Sequence, residues 1–141
     1  MKQSYILNID ELTLLTNDVI ATCKNGVIIL KGDLASGKTT FVKHLAKQLG
    51  CDDDVTSPTF SLQQCYSQRI FHYDIYNHGV EHFISLGMLE ELDKDGIHLV
   101  EWGNDELKEI LISAGFHVLL IEINKISTEK REYLVEDLCI H

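Results

Sequence analysis

Arginine and proline are nearly absent from this chain, which has two arginines, Arg69 and Arg131, and one proline, Pro58. Small-molecule and nucleotide kinases close an arginine-rich lid over their substrate's phosphates, and two arginines make such a lid hard to build. Positive charge is scarce altogether: 12 basic residues face 22 acidic ones, for a net charge of −10, and no basic stripe offsets the average field. A polyanion is repelled by such a surface, so tight direct binding of RNA or DNA is not expected of this chain alone. A basic protein partner suits the charge better.

Long apolar runs are missing as well. The longest, around Val118–Ile123, is strand-sized and far short of the about 20 residues that span a bilayer. Met1-Lys2-Gln3-Ser4 has neither the basic flank nor the apolar stretch of a secretory signal, so a cytoplasmic protein is expected. The four cysteines, Cys23, Cys51, Cys65 and Cys139, form no C-x-x-C pair; zinc-type spacing is lacking, and they read as reduced, mostly buried thiols. Repeats, low-complexity tracts and linkers are lacking too. A chain of 141 residues fits one domain, 1–141, with one core.

What is present alternates strands with helices. Asp10 or Asn8 can cap a helix carrying Leu12, Leu15, Val19 and Cys23 and ending near Gly26. Val27–Leu30 is continuously apolar, as in a strand buried on both faces. A helix starts at about Thr39 and stops at Gly50, which suits a left-handed cap. Phe60–Tyr66 and Ile70–Tyr76 read as a hairpin around Ser67-Gln68. A helix over Val80–Leu92, a strand over Ile97–Glu101, a helix over Asp105–Ile112 and a strand over His117–Ile123 follow, with Glu132–Ile140 antiparallel to the last. The order predicts an α/β fold: a P-loop NTPase-like, three-layer domain with a mainly parallel central sheet and antiparallel additions.

The chemistry concentrates in Gly32-Asp33-Leu34-Ala35-Ser36-Gly37-Lys38-Thr39, a full G-x-x-x-x-G-K-[ST] match placed between an apolar strand and a helix. That context is what the motif's mechanics require: loop N–H groups and the helix N-terminus favour an anion, and the glycines let the backbone curl around it. Lys38 is then expected to reach the β- and γ-phosphates of ATP, and the Thr39 hydroxyl to hold Mg²⁺. Such a site needs an acid at the end of a neighbouring buried strand, and Ile97-His98-Leu99-Val100-Glu101 offers Glu101. His98 reads as a packed core histidine.

Asp74, in Phe71-His72-Tyr73-Asp74-Ile75-Tyr76, is a second strand-borne acid. If Phe71, Tyr73 and Ile75 face the core, Asp74 shares the other face with His72, either as a working acid or as a solvent-facing sheet residue. Ser57-Pro58-Thr59 admits two readings, a switch-like loop near the γ-phosphate or a plain strand-entry turn. Asp52-Asp53-Asp54 reads as a solvated acidic turn.

Four motifs in order give the chain a resemblance to a known family: Gly32-Asp33-Leu34 through Thr40, Val55-Thr56-Ser57-Pro58-Thr59-Phe60, His72-Tyr73-Asp74-Ile75-Tyr76 and Leu99-Val100-Glu101-Trp102. It resembles the TsaE (YjeE) family, small bacterial P-loop ATPases of the tRNA threonylcarbamoyladenosine pathway. The resemblance implies that Ala35, Ser36, Gly37, Lys38, Thr39 and Thr40 line the phosphates of ATP, with Thr39 and Glu101 serving Mg²⁺. It further implies that Asp74 is the acid needed for hydrolysis, that Thr59 belongs to a switch-like loop and that Trp102 lies beside the site. Nucleotide contacts near the first helix and from a C-terminal basic residue correspond most nearly to Leu12 or Thr13 and to Arg131. The implied partners are the TsaD and TsaB proteins, with tRNA held by that assembly.

The family pattern is not followed everywhere. Ala35-Ser36 replaces Gly-Ala, which restricts the loop backbone, and Asn77 stands where the pattern has arginine. Slow hydrolysis by the isolated chain, quickened when a partner completes the site, is the mechanism expected. The alternatives are a non-enzymatic nucleotide-dependent assembly sensor, a small GTPase and a small-molecule kinase. The GTPase lacks its N-K-x-D element, because Asn124-Lys125-Ile126-Ser127 ends in serine where a carboxylate must read guanine.

Overall fold

Val27 and Ile29 point to one face of β2 (Gly26–Lys31), Ile28 and Leu30 to the other, and all four are buried. A strand without a polar face has to be covered on both sides, so it occupies the middle of a sheet. The computed structural model of the chain describes residues 2–23, 25–32, 37–51, 63–66 (backbone alone), 69–75, 79–101 and 105–138. In it, β2 pairs in parallel with β5 (Ile97–Glu101) on one side and β6 (Val118–Lys125) on the other. β4 (Ile70–Asp74) adds to β5, again in parallel.

Antiparallel strands extend both edges. β3 (Gln63–Tyr66) pairs with β4; beyond β6 come β7 (Lys130–Asp137) and then β1 (Lys2–Asn8). Among the described residues the sheet therefore runs β1-β7-β6-β2-β5-β4-β3. Helices α1 (Leu12–Thr22) and α2 (Lys38–Gln48) cover one face through Leu12, Leu15, Val19, Phe41, Val42 and Leu45. The other face is covered by α3 (Gly79–Ser85), α4 (Met88–Leu92) and α5 (Asp105–Ser113), through Val80, Phe83, Leu92, Leu107 and Leu111. Each large apolar side chain taken from water in these layers contributes about 1.5–3 kcal/mol. The expected three-layer α/β fold with a parallel centre and antiparallel additions is the one observed. No helix among the described residues is long and apolar enough to cross a membrane.

Three features depart from the sequence reading. Strand β1 was not expected; it is largely exposed, with Leu7 its one buried residue. The single helix expected over Val80–Leu92 is two, because Gly87 between them takes a left-handed φ of 77° and the helical hydrogen bonds end with Leu86 N–H donating to His82 O. Finally, Asn8 caps a short 3₁₀ turn (Ile9–Glu11) that precedes α1. Its side chain accepts from Glu11 N–H at 3.1 Å while its own N–H donates to the Glu11 carboxylate at 3.1 Å, a reciprocal cap that fixes the turn.

Candidate functional site

The parallel strands of the centre end together. Leu30 of β2 and Asp74 of β4 are both register partners of Glu101 of β5, so the carboxyl ends of the three strands lie in one row. Ligands of open α/β sheets bind beyond such ends. Here the strand ends face the start of α2, where Gly37 takes a φ of 111° that a side chain would strain.

Lys38 opens α2 and is 5% exposed; its ammonium turns back to donate to Gly32 O at 2.6 Å. The Thr39 hydroxyl donates to Glu101 Oε2 at 3.4 Å. Glu101 is itself buried, and the same Oε2 is in direct contact with Nε2 of His72, which is fully buried. A buried carboxylate is tolerated only when partnered, and these two groups partner it. Asp74 is half-buried on the same face, two residues beyond His72.

Beside this constellation lies a cavity of about 470 Å³, within the range of small-molecule sites. Three segments wall it: Asn8, Ile9 and Asp10 from the capped turn after β1; Gly37 and Thr40 from the start of α2; and Thr128, Glu129, Arg131 and Tyr133 from the β6–β7 hairpin. The Arg131 guanidinium is held by its own hairpin, with Nη1 donating to Ser127 O at 2.9 Å and to Lys130 O at 3.2 Å. A Cβ placed on Gly37 would sit 3.9 Å from Arg131 Nε, so this cation borders the motif.

The donor set bears on which ion the site could take. Among the described residues no group of three or more His, Cys, Asp or Glu side chains could hold a metal. One hydroxyl and one carboxylate suit Mg²⁺, which keeps several waters and takes its remaining oxygens from phosphates. Thr39 and Glu101 fit that ion.

The family model described as "Threonylcarbamoyl adenosine biosynthesis protein TsaE" matches residues 7–133. The chain belongs to the TsaE family. It is similar to the tRNA threonylcarbamoyladenosine biosynthesis protein TsaE of Treponema pallidum (strain Nichols), at 38% identity over 102 residues, 68% of this chain and 76% of the relative. The protein of the same name from Borreliella burgdorferi is 35% identical over 111 residues, 70% of this chain and 80% of the relative. Among solved structures, Bacillus subtilis YdiB superposes with a TM-score of 0.71 at 26% identity, over 98% of this chain and 86% of that one. The TsaE match runs through every residue that walls the cavity and through Lys38, Thr39, Asp74 and Glu101.

Measured against the sequence expectations, the structure brings Lys38, Thr39, Asp74 and Glu101 to one end of the sheet and puts Gly37, Thr40 and Arg131 at the cavity. Leu12 opens α1 with its side chain fully buried in the core, and Asn8–Asp10, just before it, wall the cavity. Thr13 instead meets His44 Nε2 on α2 at 2.9 Å. Ala35, Ser36, Thr59 and Trp102 lie outside the described residues. Asn8, Ile9, Asp10, Thr128, Glu129 and Tyr133 were not anticipated as cavity walls. The capping signal at Asn8 was legible, but nothing local joins it to a hairpin over a hundred residues on. His72 was not given a task either.

His98 is the core histidine expected. It stacks on Phe71 at 4.4 Å, with Nε2 2.7 Å from Lys94 O and Nδ1 2.8 Å from the Tyr73 hydroxyl. Burial pushes its pKa below the ordinary 6.5, and the neutral ring then donates to Lys94 O and accepts from Tyr73.

Proposed function

We propose that this chain is the Mg²⁺-dependent ATP-binding and ATP-hydrolysing subunit of a tRNA threonylcarbamoyladenosine modification assembly, working in the cytoplasm with TsaD and TsaB proteins. The observation that carries the reading is the Thr39 hydroxyl 3.4 Å from the buried Glu101 carboxylate, directly behind Lys38. A hydroxyl and an acid so placed at the start of a helix match the metal side of a P-loop.

In this reading the Gly32–Thr40 motif binds the phosphates, and the nucleoside end lies in the cavity between Asn8–Asp10 and the β6–β7 hairpin. Lys38 releases Gly32 O to neutralise the β- and γ-phosphates. Held at the strand ends by Thr39 and Glu101, Mg²⁺ would supply positive charge to offset the negative charge that builds up on the departing γ-phosphoryl group. Thr39 and Glu101 hold their oxygens toward that position, and Asp74 orients the attacking water from the next strand. Phosphoryl transfer leaves the protein little covalent work, so positioning and charge dominate.

Of the two arginines, Arg69 precedes β4 at the end of the strand away from Asp74, while Arg131 borders Gly37 and the cavity, which supports a role for Arg131 near the phosphates. Its guanidinium is tied to hairpin carbonyls, so hydrolysis by the chain alone is slow and a partner completes the site. The tRNA is engaged only through that complex, consistent with a net charge of −10.

The test is ATP turnover by the chain alone and with a purified TsaB–TsaD pair. Stimulation that vanishes in Lys38→Ala is the expected result. Tight ATP binding with no stimulation would move the function to a nucleotide-dependent assembly sensor.

A further inference from the structure

His72 lies on β4 two residues before Asp74, on the sheet face that looks toward α2, and its side chain is fully buried. Its Nε2 touches Glu101 Oε2, the oxygen that also receives the Thr39 hydroxyl. A glutamate has three side-chain torsions, and the strand backbone restricts the first of them while leaving the outer ones to be set by neighbours. At Glu101, Oε2 meets described neighbours on α2, at Thr39, and on the adjacent strand, at His72.

We propose that His72 is a positioning residue: its Nε2–H donates to Glu101 and holds the carboxylate turned toward Thr39, ready for the ion. This rests on reading Glu101 as a Mg²⁺ ligand. Partners of ligating carboxylates orient them, and their loss typically costs about 10–100-fold in metal affinity. The geometry sets His72 apart from His98, whose two nitrogens are used by Tyr73 and a backbone carbonyl on the far face of the sheet. One buried histidine serves the core and the other serves an acid at the site.

Two substitutions separate a hydrogen-bonding role from a packing role. In His72→Gln the side-chain amide reaches the position of Nε2, whereas in His72→Asn it stops near that of Nδ1. Each leaves an uncharged amide in the buried position, so the two make similar demands on folding. The measurement is the affinity of the full chain for a fluorescent ATP analogue with and without Mg²⁺.

In His72→Gln, Mg²⁺ should raise affinity to within about 3-fold of the wild-type response. In His72→Asn the response should fall by about 10-fold, with Mg²⁺-free affinity changed less than about 2-fold. Equal Mg²⁺ responses in the two variants would overturn the positioning role. Glu101→Gln tells that failure from a deeper one: if it keeps the full Mg²⁺ response, or if the wild type has none, the metal-ligand reading falls and this inference falls with it.

Discussion

Asp74 and Glu101 face each other as register partners at the ends of two adjacent parallel strands, β4 and β5. In-register residues on parallel neighbours project to the same face, so the two acids share the space before α2. Their surroundings differ. Glu101 is buried against Thr39 and His72, while Asp74 is half-buried at the rim. Unequal environments suit a division of labour, with the buried acid for the ion and the rim acid for water.

That division predicts different failures. Asp74→Asn should slow ATP turnover by about 10²-fold, the scale of a lost acid–base group, and leave ATP affinity within about 3-fold. Phosphate release and nucleotide binding measured on the same preparation decide it. Parallel loss of both would make Asp74 a binding residue.

Arg131 borders Gly37 from the hairpin wall of the cavity. Arg131→Ala should weaken ATP binding by about 10-fold, since a charge-assisted contact contributes about 1.5–3 kcal/mol. Stability should change little, because the side chain is half-buried and lies outside both apolar clusters. Titration with a nucleotide analogue beside a thermal melt tests both statements.

Gly96 enters β5 with a φ of 133°, and a Cβ there would meet Arg69 O at 2.4 Å and the Phe71 ring at 3.1 Å. Its N–H donates to Asn25 Oδ1 at 2.8 Å and its carbonyl accepts from Gly26 N–H at 3.1 Å, so the backbone is held on both sides. Gly96→Ala should therefore destabilise by about 3 kcal/mol or more, combining strain with a backbone clash. Urea unfolding measures it, and a loss below about 1 kcal/mol would mean that the turn yields.

Burial lowers the pKa of His98, with the nearby Lys94 ammonium adding a smaller push and the hydrogen bond to Lys94 O opposing it. The unfolded chain then takes up a proton at higher pH than the folded one. Stability from this group is complete above the ordinary histidine value of about 6.5 and is lost as pH falls below it toward the lowered folded value. The melting temperature should drop between pH 7.5 and 5.5. The drop should be smaller in His98→Gln, which does not titrate.

What the sequence disclosed follows the reach of its signals. β2, β5 and the start of α2 were legible because continuous apolar runs and the Gly-Lys-Thr spacing are local features. The acids followed from strand ends. β1 was not legible: Lys2-Gln3-Ser4-Tyr5-Ile6-Leu7-Asn8 buries only Leu7, and its pairing, Lys2 opposite Glu136, spans the chain. The cavity depends on that pairing, so Asn8–Asp10 escaped with it. The break at Gly87 escaped because glycine is tolerated within a helical pattern, and only its left-handed φ ends the helix. His72 has its partner 29 residues away, in another strand.

The β1–β7 pairing also orders events in time. Of the described strands a ribosome delivers β1 first and β7 last, yet each is the other's neighbour in the sheet. During synthesis the motif, both acids and the turn at Asn8 are all exposed before the wall that carries Arg131 exists. A nascent chain thus holds nearly all the chemistry and two of the cavity's three walls, and occupancy of the cavity becomes a mark that the hairpin has paired.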